Sequence, residues 1–197
     1  MKASGTFFYP ERFVLTDRVF ADENRFYVLG EFDEDLENGL VWALTKKIEE
    51  LKSKKDASID VYINSYGGDA YLCLHLVELF EIAKRNDITV RTIVPAVALS
   101  AGSMLAVAGT KGERYIAKNA EHLVHYGQFD GSRKTTPLQI DRTSERWKRW
   151  TKTLIRHYQT YAEIPDLEEH LKDDDFWIES GKCIKWKLAD KYMSDLH

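Results

Sequence analysis

The sequence predicts an α/β fold, a mostly parallel sheet covered by helices. Short apolar, β-branched runs alternate with segments whose apolar residues recur at helical spacing, and no long linker separates them. Small-residue and glycine breaks fall where strands hand over to helices. A length of 197 residues suits one domain with a sizeable core.

Each element has its own signal. Arg25-Phe26-Tyr27-Val28-Leu29 reads as a strand ended by Gly30, and in residues 35–52 Leu36, Leu40, Val41, Leu44, Ile48 and Leu51 share a helical face. Ile59-Asp60-Val61-Tyr62-Ile63 is a second strand that delivers the chain into Asn64 and the pair Gly67-Gly68. Leu72, Leu76, Leu79, Phe80 and Ala83 mark the next helix, with Glu78, Glu81 and Lys84 on its wet face. Residues 89–94 are β-branched and make a third strand. Residues 100–107 read as a small-residue helix stopped by Gly109, and Tyr115-Ile116 and residues 122–125 as short strands. Residues 127–137 are polar, with Arg133-Lys134, and read as an exposed loop or ribbon. Residues 138–161 are a long helix bearing Trp147, Trp150, Leu154, Tyr158 and Tyr161 on one stripe. The helical-face argument packs that stripe on its own domain; the interface enrichment of Trp and Tyr offers a subunit contact instead. Pro165 breaks the pattern, and a last helix spans residues 180–188 before Asp190.

Composition narrows the function classes. Apolar residues are 44% and charged residues 30%, ordinary for a soluble globular chain. With 28 Lys and Arg against 32 Asp and Glu, a net charge of −4 gives a nucleic-acid partner no electrostatic support. Two cysteines, Cys73 and Cys183, lie inside helical patterns, so no disulfide framework is expected and a reducing cytosol fits. No apolar run approaches the roughly 18 residues of a membrane span, and residues 1–12 lack the apolar core of a signal peptide. A cytoplasmic protein without membrane contact is the expectation. His122 and His125, three apart in a strand, face opposite sides, so no shared metal and no cofactor is expected. His75, His157, His170 and His197 read as surface residues.

The chemistry concentrates between Ile63 and His125. The paired glycines of Ile63-Asn64-Ser65-Tyr66-Gly67-Gly68 offer backbone N–H groups to an oxyanion. Ser100, in Ala98-Leu99-Ser100-Ala101-Gly102, sits among small residues at a helix start, where free N–H groups and close substrate approach favour a nucleophile; Ser103 is its local rival. His125, closing His122-Leu123-Val124-His125, is placed to take a proton. The run Asp173-Asp174-Asp175 precedes the apolar Phe176-Trp177-Ile178, so that one carboxylate can turn inward to orient an imidazole. Taken singly, each feature has a plainer use: a turn, an N-cap, a structural histidine, a solvated charge run.

In combination these motifs resemble the ClpP family, the proteolytic subunits of the Clp protease, over roughly residues 25–190 as a divergent member. The family's Ile-Asn-Ser-Pro-Gly-Gly loop is matched by residues 63–68 with Tyr66 in place of proline. Its nucleophile segment and the following Ala-Gly-x-Lys-Gly-x-Arg are matched by residues 98–102 and by Ala108-Gly109-Thr110-Lys111-Gly112-Glu113-Arg114. Its Met-Ile-His strand is matched by Leu123-Val124-His125, with no gap in the 25-residue spacing from Ser100. The resemblance implies the ClpP/crotonase-like fold with a protruding handle, here residues 127–161, inside one domain of residues 25–197. It implies Ser100 as nucleophile, His125 as base and Asp175, counted back from Leu188-Ala189-Asp190, as orienter, with Asp174 the runner-up. Gly67, Gly68 and Ala101 would bind substrate and oxyanion. It further implies polypeptide substrates, heptameric rings stacked as a tetradecamer and an AAA+ unfoldase partner. Residues 1–24 do not match the family's axial loop, and the handle is divergent. The long-helix stripe with residues 127–137 is the expected contact between rings.

Two other functions fit parts of the pattern. A catalytically silent ring subunit would not need all three triad positions. A crotonase-like acyl-CoA enzyme would need a pair of carboxylates at the glycine loops, and none is evident.

Overall fold

A computed structural model of the chain describes residues 12–16, 19–127, 137–173 and 175–196. The polar ribbon expected at 127–137 and the runner-up acid Asp174 therefore lie almost wholly outside the described residues, as does His197. The chain opens with an antiparallel hairpin, β1 (Arg12–Thr16) and β2 (Val19–Asp22), which pairs with β3 (Arg25–Phe32). Then come α1 (Glu34–Leu36), a π-turn (Glu37–Val41) and α2 (Trp42–Leu51), so the helix expected over 35–52 is present with one widened turn. Next are β4 (Ser58–Gly68), α3 (Ala70–Arg85), β5 (Thr89–Val94), β6 (Val97–Leu99), α4 (Ala101–Val107), β7 (Arg114–Ile116) and β8 (Glu121–Val124). The long helix α5 (Pro137–Tyr161) leads to α6 (Leu167–His170), β9 (Phe176–Glu179), α7 (Ser180–Lys185) and β10 (Lys191–Tyr192).

Pairing is mostly parallel: β3 with β4, β4 with β5 and β6, β5 with β7, β7 with β10, and β6 with β8. Among the described residues only the hairpin, its junction with β3, and the β8–β9 pair run antiparallel. The long strand β4 explains the split into two layers. Its inward residues Ile59, Val61, Ile63 and Ser65 alternate with outward ones, and its first half pairs with β5 as far as Tyr62. Beyond that point it leaves β5 and pairs with β6 through Ser65 and Ala98, while the Asn64 Oδ1 accepts the Val97 N–H at 3.3 Å. The second layer, β6, β8 and β9, thus starts beside the glycine loop.

Every residue of α4 is buried, so this short helix is the pin between the layers, packed under α3 and α5. On the far side Arg114 locks the C-terminal segment. Its guanidinium pairs with both Asp190 oxygens at 2.7 Å and donates to the Val107 and Tyr161 carbonyls, with the side chain 3% exposed. Burial raises the Asp190 pKa, but hydrogen bonds and charge from Arg114 outweigh it and the net shift is downward.

Two expectations need correction, on the surface histidines and on the end of α7, whereas the own-domain reading of the long-helix stripe holds. The stripe on α5 faces its own domain: Leu154 and Tyr158 are buried there, and the Trp150 indole N–H donates to the Tyr126 carbonyl at 2.8 Å. His157 is buried rather than at the surface, because it lies on that same inward stripe and donates to the Met104 carbonyl at 2.8 Å. His170 is also drawn in, stacked at 4.1 Å on Phe176. Finally, α7 ends at Lys185 rather than at residue 188.

Candidate active site

The second layer aims four segments at one place. The glycine pair closes β4, Ser100 follows β6, and His125 follows β8, all at the carboxyl ends of parallel strands, where loops of an α/β sheet converge. The fourth, β9, is antiparallel to β8, so its beginning meets the end of β8. The register Val124 to Phe176 sets the preceding residue, Asp175, beside His125.

Ser100 occupies a strained turn between β6 and α4, with φ 52° and ψ −118°. Such a conformation costs a non-glycine residue about 1–3 kcal/mol and persists only where the surroundings enforce it. Here its N–H is tied to the Leu123 carbonyl at 2.9 Å and its carbonyl caps Met104 N–H at 3.1 Å. Gly67, at φ +101°, lies directly against it: a β-carbon there would stand 2.7 Å from the Ser100 β-carbon. Gly68 approaches Phe32 just as closely, and the Phe32 carbonyl takes its bond from the Asp69 N–H. Buried Ser65 braces the loop by donating to the Gly30 carbonyl and accepting the Gly67 N–H at 3.1 Å.

The structure brings Ser100, His125 and Asp175 into one row. The Ser100 Oγ is 2.7 Å from the His125 Nε2, and the His125 Nδ1 is 3.2 Å from the Asp175 Oδ1. An imidazole protonated on Nδ1 donates to the carboxylate and leaves the Nε2 lone pair to accept the serine proton. The His125 side chain is mostly covered, whereas Asp175 is half exposed. Ala101 lies at the first turn of α4, beside Ser100.

The rival groups are shut away. Ser103 is fully buried, its Oγ 2.9 Å from the His122 Nδ1 and accepting the Tyr158 hydroxyl at 2.9 Å. Burial, with the Arg114 charge, holds the His122 pKa down to about 3, so this second Ser–His pair is a neutral internal hydrogen bond. Cys73 donates to the Ala101 carbonyl, and burial pushes both its thiol and that of Cys183 well up, which suppresses thiolate chemistry. Among the described residues no cluster of His, Cys, Asp and Glu is arranged to hold a metal, and no helix is long and apolar enough to cross a membrane.

A cavity of about 500 Å³ opens beside Ser100 and His125. Met104, Leu154 and Tyr158 form its apolar base, and Tyr66, Tyr71, Arg146 and Trp150 stand around it. Sequence reasoning missed Tyr71 and Arg146. Tyr71 carried a signal, because it follows the glycine loop by one helical residue, whereas Arg146 joins it only through tertiary packing.

The family model for Clp protease matches residues 13–195. The chain belongs to the Clp protease family. It is 29% identical over 184 residues to the ATP-dependent Clp protease proteolytic subunit of Ligilactobacillus salivarius, covering 92% of this chain and 86% of that one. The protein of the same name from Streptococcus mutans is 27% identical over 185 residues, covering 92% and 87%. That of Deinococcus radiodurans is 29% identical over 140 residues, covering 70% and 66%. Identities in this range mark a divergent member of the Clp protease family, and Tyr66 in the glycine loop is one of its departures from the family pattern.

Proposed function

We propose that this chain is a serine-type endopeptidase subunit acting on unfolded polypeptides inside a ring-shaped chamber. The observation that carries the reading is the 2.7 Å approach of the Ser100 Oγ to the His125 Nε2, with Asp175 on the other ring nitrogen. His125 takes the Ser100 proton as Oγ attacks the peptide carbonyl carbon. The resulting oxyanion receives N–H groups of Gly68 and Ala101, while Gly67 lets the loop close against Ser100. Asp175 holds the tautomer and stabilises the imidazolium; His125 then gives the proton to the leaving amine, and water repeats the sequence on the acyl ester.

The relatives' name, proteolytic subunit of an ATP-dependent protease, supports polypeptide substrates and an AAA+ unfoldase as partner. Heptameric rings stacked as a tetradecamer are the arrangement the family resemblance supports. Ser100→Ala is expected to abolish both fluorophosphonate labelling and hydrolysis of short fluorogenic peptides, a loss of about 10³-fold or more, since the three residues act as a unit. Asp175→Asn is expected to lower kcat by on the order of 10²–10⁴-fold with the fold intact. Retained labelling in Ser100→Ala, or a larger loss in Asp174→Asn than in Asp175→Asn, would overturn the assignment of the residue concerned.

A further inference from the structure

We propose that Arg146 and Tyr71 form an acid-selecting subsite, so that this peptidase prefers a glutamate or aspartate at the residue preceding the scissile bond. The inference rests on the serine-peptidase reading above and adds a substrate class to it. The cavity that the substrate side chain must enter begins at Ser100 and His125 and is roomy enough, at about 500 Å³, for a long side chain. Its base is apolar, which suits a methylene stem. Its mouth is not.

At the mouth, the Arg146 Nη2 and Nε donate to the Tyr71 hydroxyl oxygen at 3.0 and 3.2 Å, and the guanidinium stands 5.3 Å from the centre of the Tyr71 ring. A phenol oxygen has two acceptor sites, and both are filled by the guanidinium. The Tyr71 O–H is therefore left only to donate, and the unused N–H groups of Arg146 donate as well. The pair presents donors without an acceptor, carrying a full positive charge. A carboxylate satisfies that arrangement; a carboxamide matches the hydrogen bonds but not the charge, and an aliphatic side chain matches neither.

Among the described residues no acid takes the ligand's place. Among the described residues Arg146 makes no ion pair, and its neighbour Glu145 is bound to Lys148 at 2.9 Å. The cavity's own acid, Asp69, is committed to capping α3, accepting the Tyr71 and Leu72 N–H groups at 2.7 and 3.1 Å. Arg146 is the one Lys or Arg among the described residues that line this cavity, and it stands on the α5 side together with Thr143, Trp147, Trp150, Leu154 and Tyr158. The positive charge offered to a substrate in this cavity is thus that of Arg146, with Asp69 turned to its own helix N-terminus.

The test uses the assembled wild-type protein and three fluorogenic peptides that differ only in carrying Glu, Gln or Leu before the scissile bond. Glu and Gln are near-isosteric, so their ratio isolates charge. Wild-type kcat/KM is expected to favour Glu over Gln about threefold to tenfold at low ionic strength, a range set by the exposure of the pair. The ratio should shrink on addition of salt. Arg146→Gln is expected to bring it to about one, and Arg146→Lys to leave part of it. A wild-type ratio at or below one, or a ratio that Arg146→Gln leaves unchanged, overturns the subsite. Fluorophosphonate labelling of Ser100 in the same samples separates the two readings. Labelling with no Glu preference rejects only the subsite, whereas its absence rejects the serine peptidase on which the subsite rests. The wild-type ratio and its salt dependence decide the matter even if a variant fails to fold.

Discussion

A β-carbon on Gly67 would lie 2.7 Å from the Ser100 β-carbon and 2.9 Å from the Leu99 carbonyl oxygen, distances at which something must shift. The strained Ser100 turn is the softer partner, because Gly67 is paired with Glu31 of β3 and its N–H is bonded to the Ser65 hydroxyl. Gly67→Ala should therefore displace the nucleophile as well as strain its own backbone at φ +101°. A displacement near 1 Å costs about 10²-fold in rate, so kcat/KM should fall by about that factor, with a lowered Tm. Wild-type kcat/KM in that variant would mean that the loop does not control Ser100. This residue-level dependence was half legible in the sequence. Paired glycines beside a serine-bearing motif suggested a shared cleft, but nothing in the spacing told that the first glycine serves packing against Ser100. The matched motifs chose Ser100 and His125, and the structure adds the physical reason. Ser103 and His122 also form a Ser–His pair, and their burial makes it inert.

Elements with long periodic patterns were legible, and among the short strands β7 and β8 were read at residues 115–116 and 122–125 while β6, β9 and β10 were not. The alternation of β4 and the apolar faces of α3 and α5 announce themselves over many residues, whereas β6 has three residues, β9 four and β10 two. Such strands exist because a neighbour supplies the ladder, so local pattern carries little of their signal. The cost was real, since β9 is the strand that brings Asp175 to His125. The inward face of α5 yields a prediction of its own. Burial holds the His157 pKa down to about 4 from 6.5, despite its bond to the Met104 carbonyl. Between pH 6.5 and 4 the unfolded chain takes up a proton that the folded helix refuses, so stability falls as pH is lowered through that window. At pH 5 the His157 share is about 2 kcal/mol relative to neutral pH. Urea unfolding at pH 7 and pH 5 should show a smaller drop for His157→Gln, which keeps an N–H donor without the titration. An equal drop in both proteins would assign the acid sensitivity elsewhere, with His122, held down to about 3, the next candidate.

At the scale of the whole molecule, the inward packing of α5 bears on how the chain can assemble. The Trp150 indole bonds the Tyr126 carbonyl and walls the cavity at Ser100, so a charge placed there would disturb the fold as well as any contact between rings. Large aromatic surface remains exposed elsewhere: Trp42 on α2 is 56% exposed and Trp177 on β9 is 48% exposed. Neither lines the catalytic cavity, and a chain left as a monomer would keep both in water. A chamber of heptameric rings needs heterologous contacts that close on themselves, and apolar aromatics are what such contacts bury. Light scattering on the wild-type protein should thus give a mass near fourteen, or at least seven, times the 22.9 kDa chain. Trp150→Glu places a charge against the protein's own core and should lower Tm and peptidase activity, with the surviving folded particles keeping the wild-type mass. A halved mass for Trp150→Glu at unchanged Tm would place the inter-ring contact on α5. A wild-type monomer with full peptidase activity would remove the chamber and leave Ser100, His125 and Asp175 to be judged on their own chemistry.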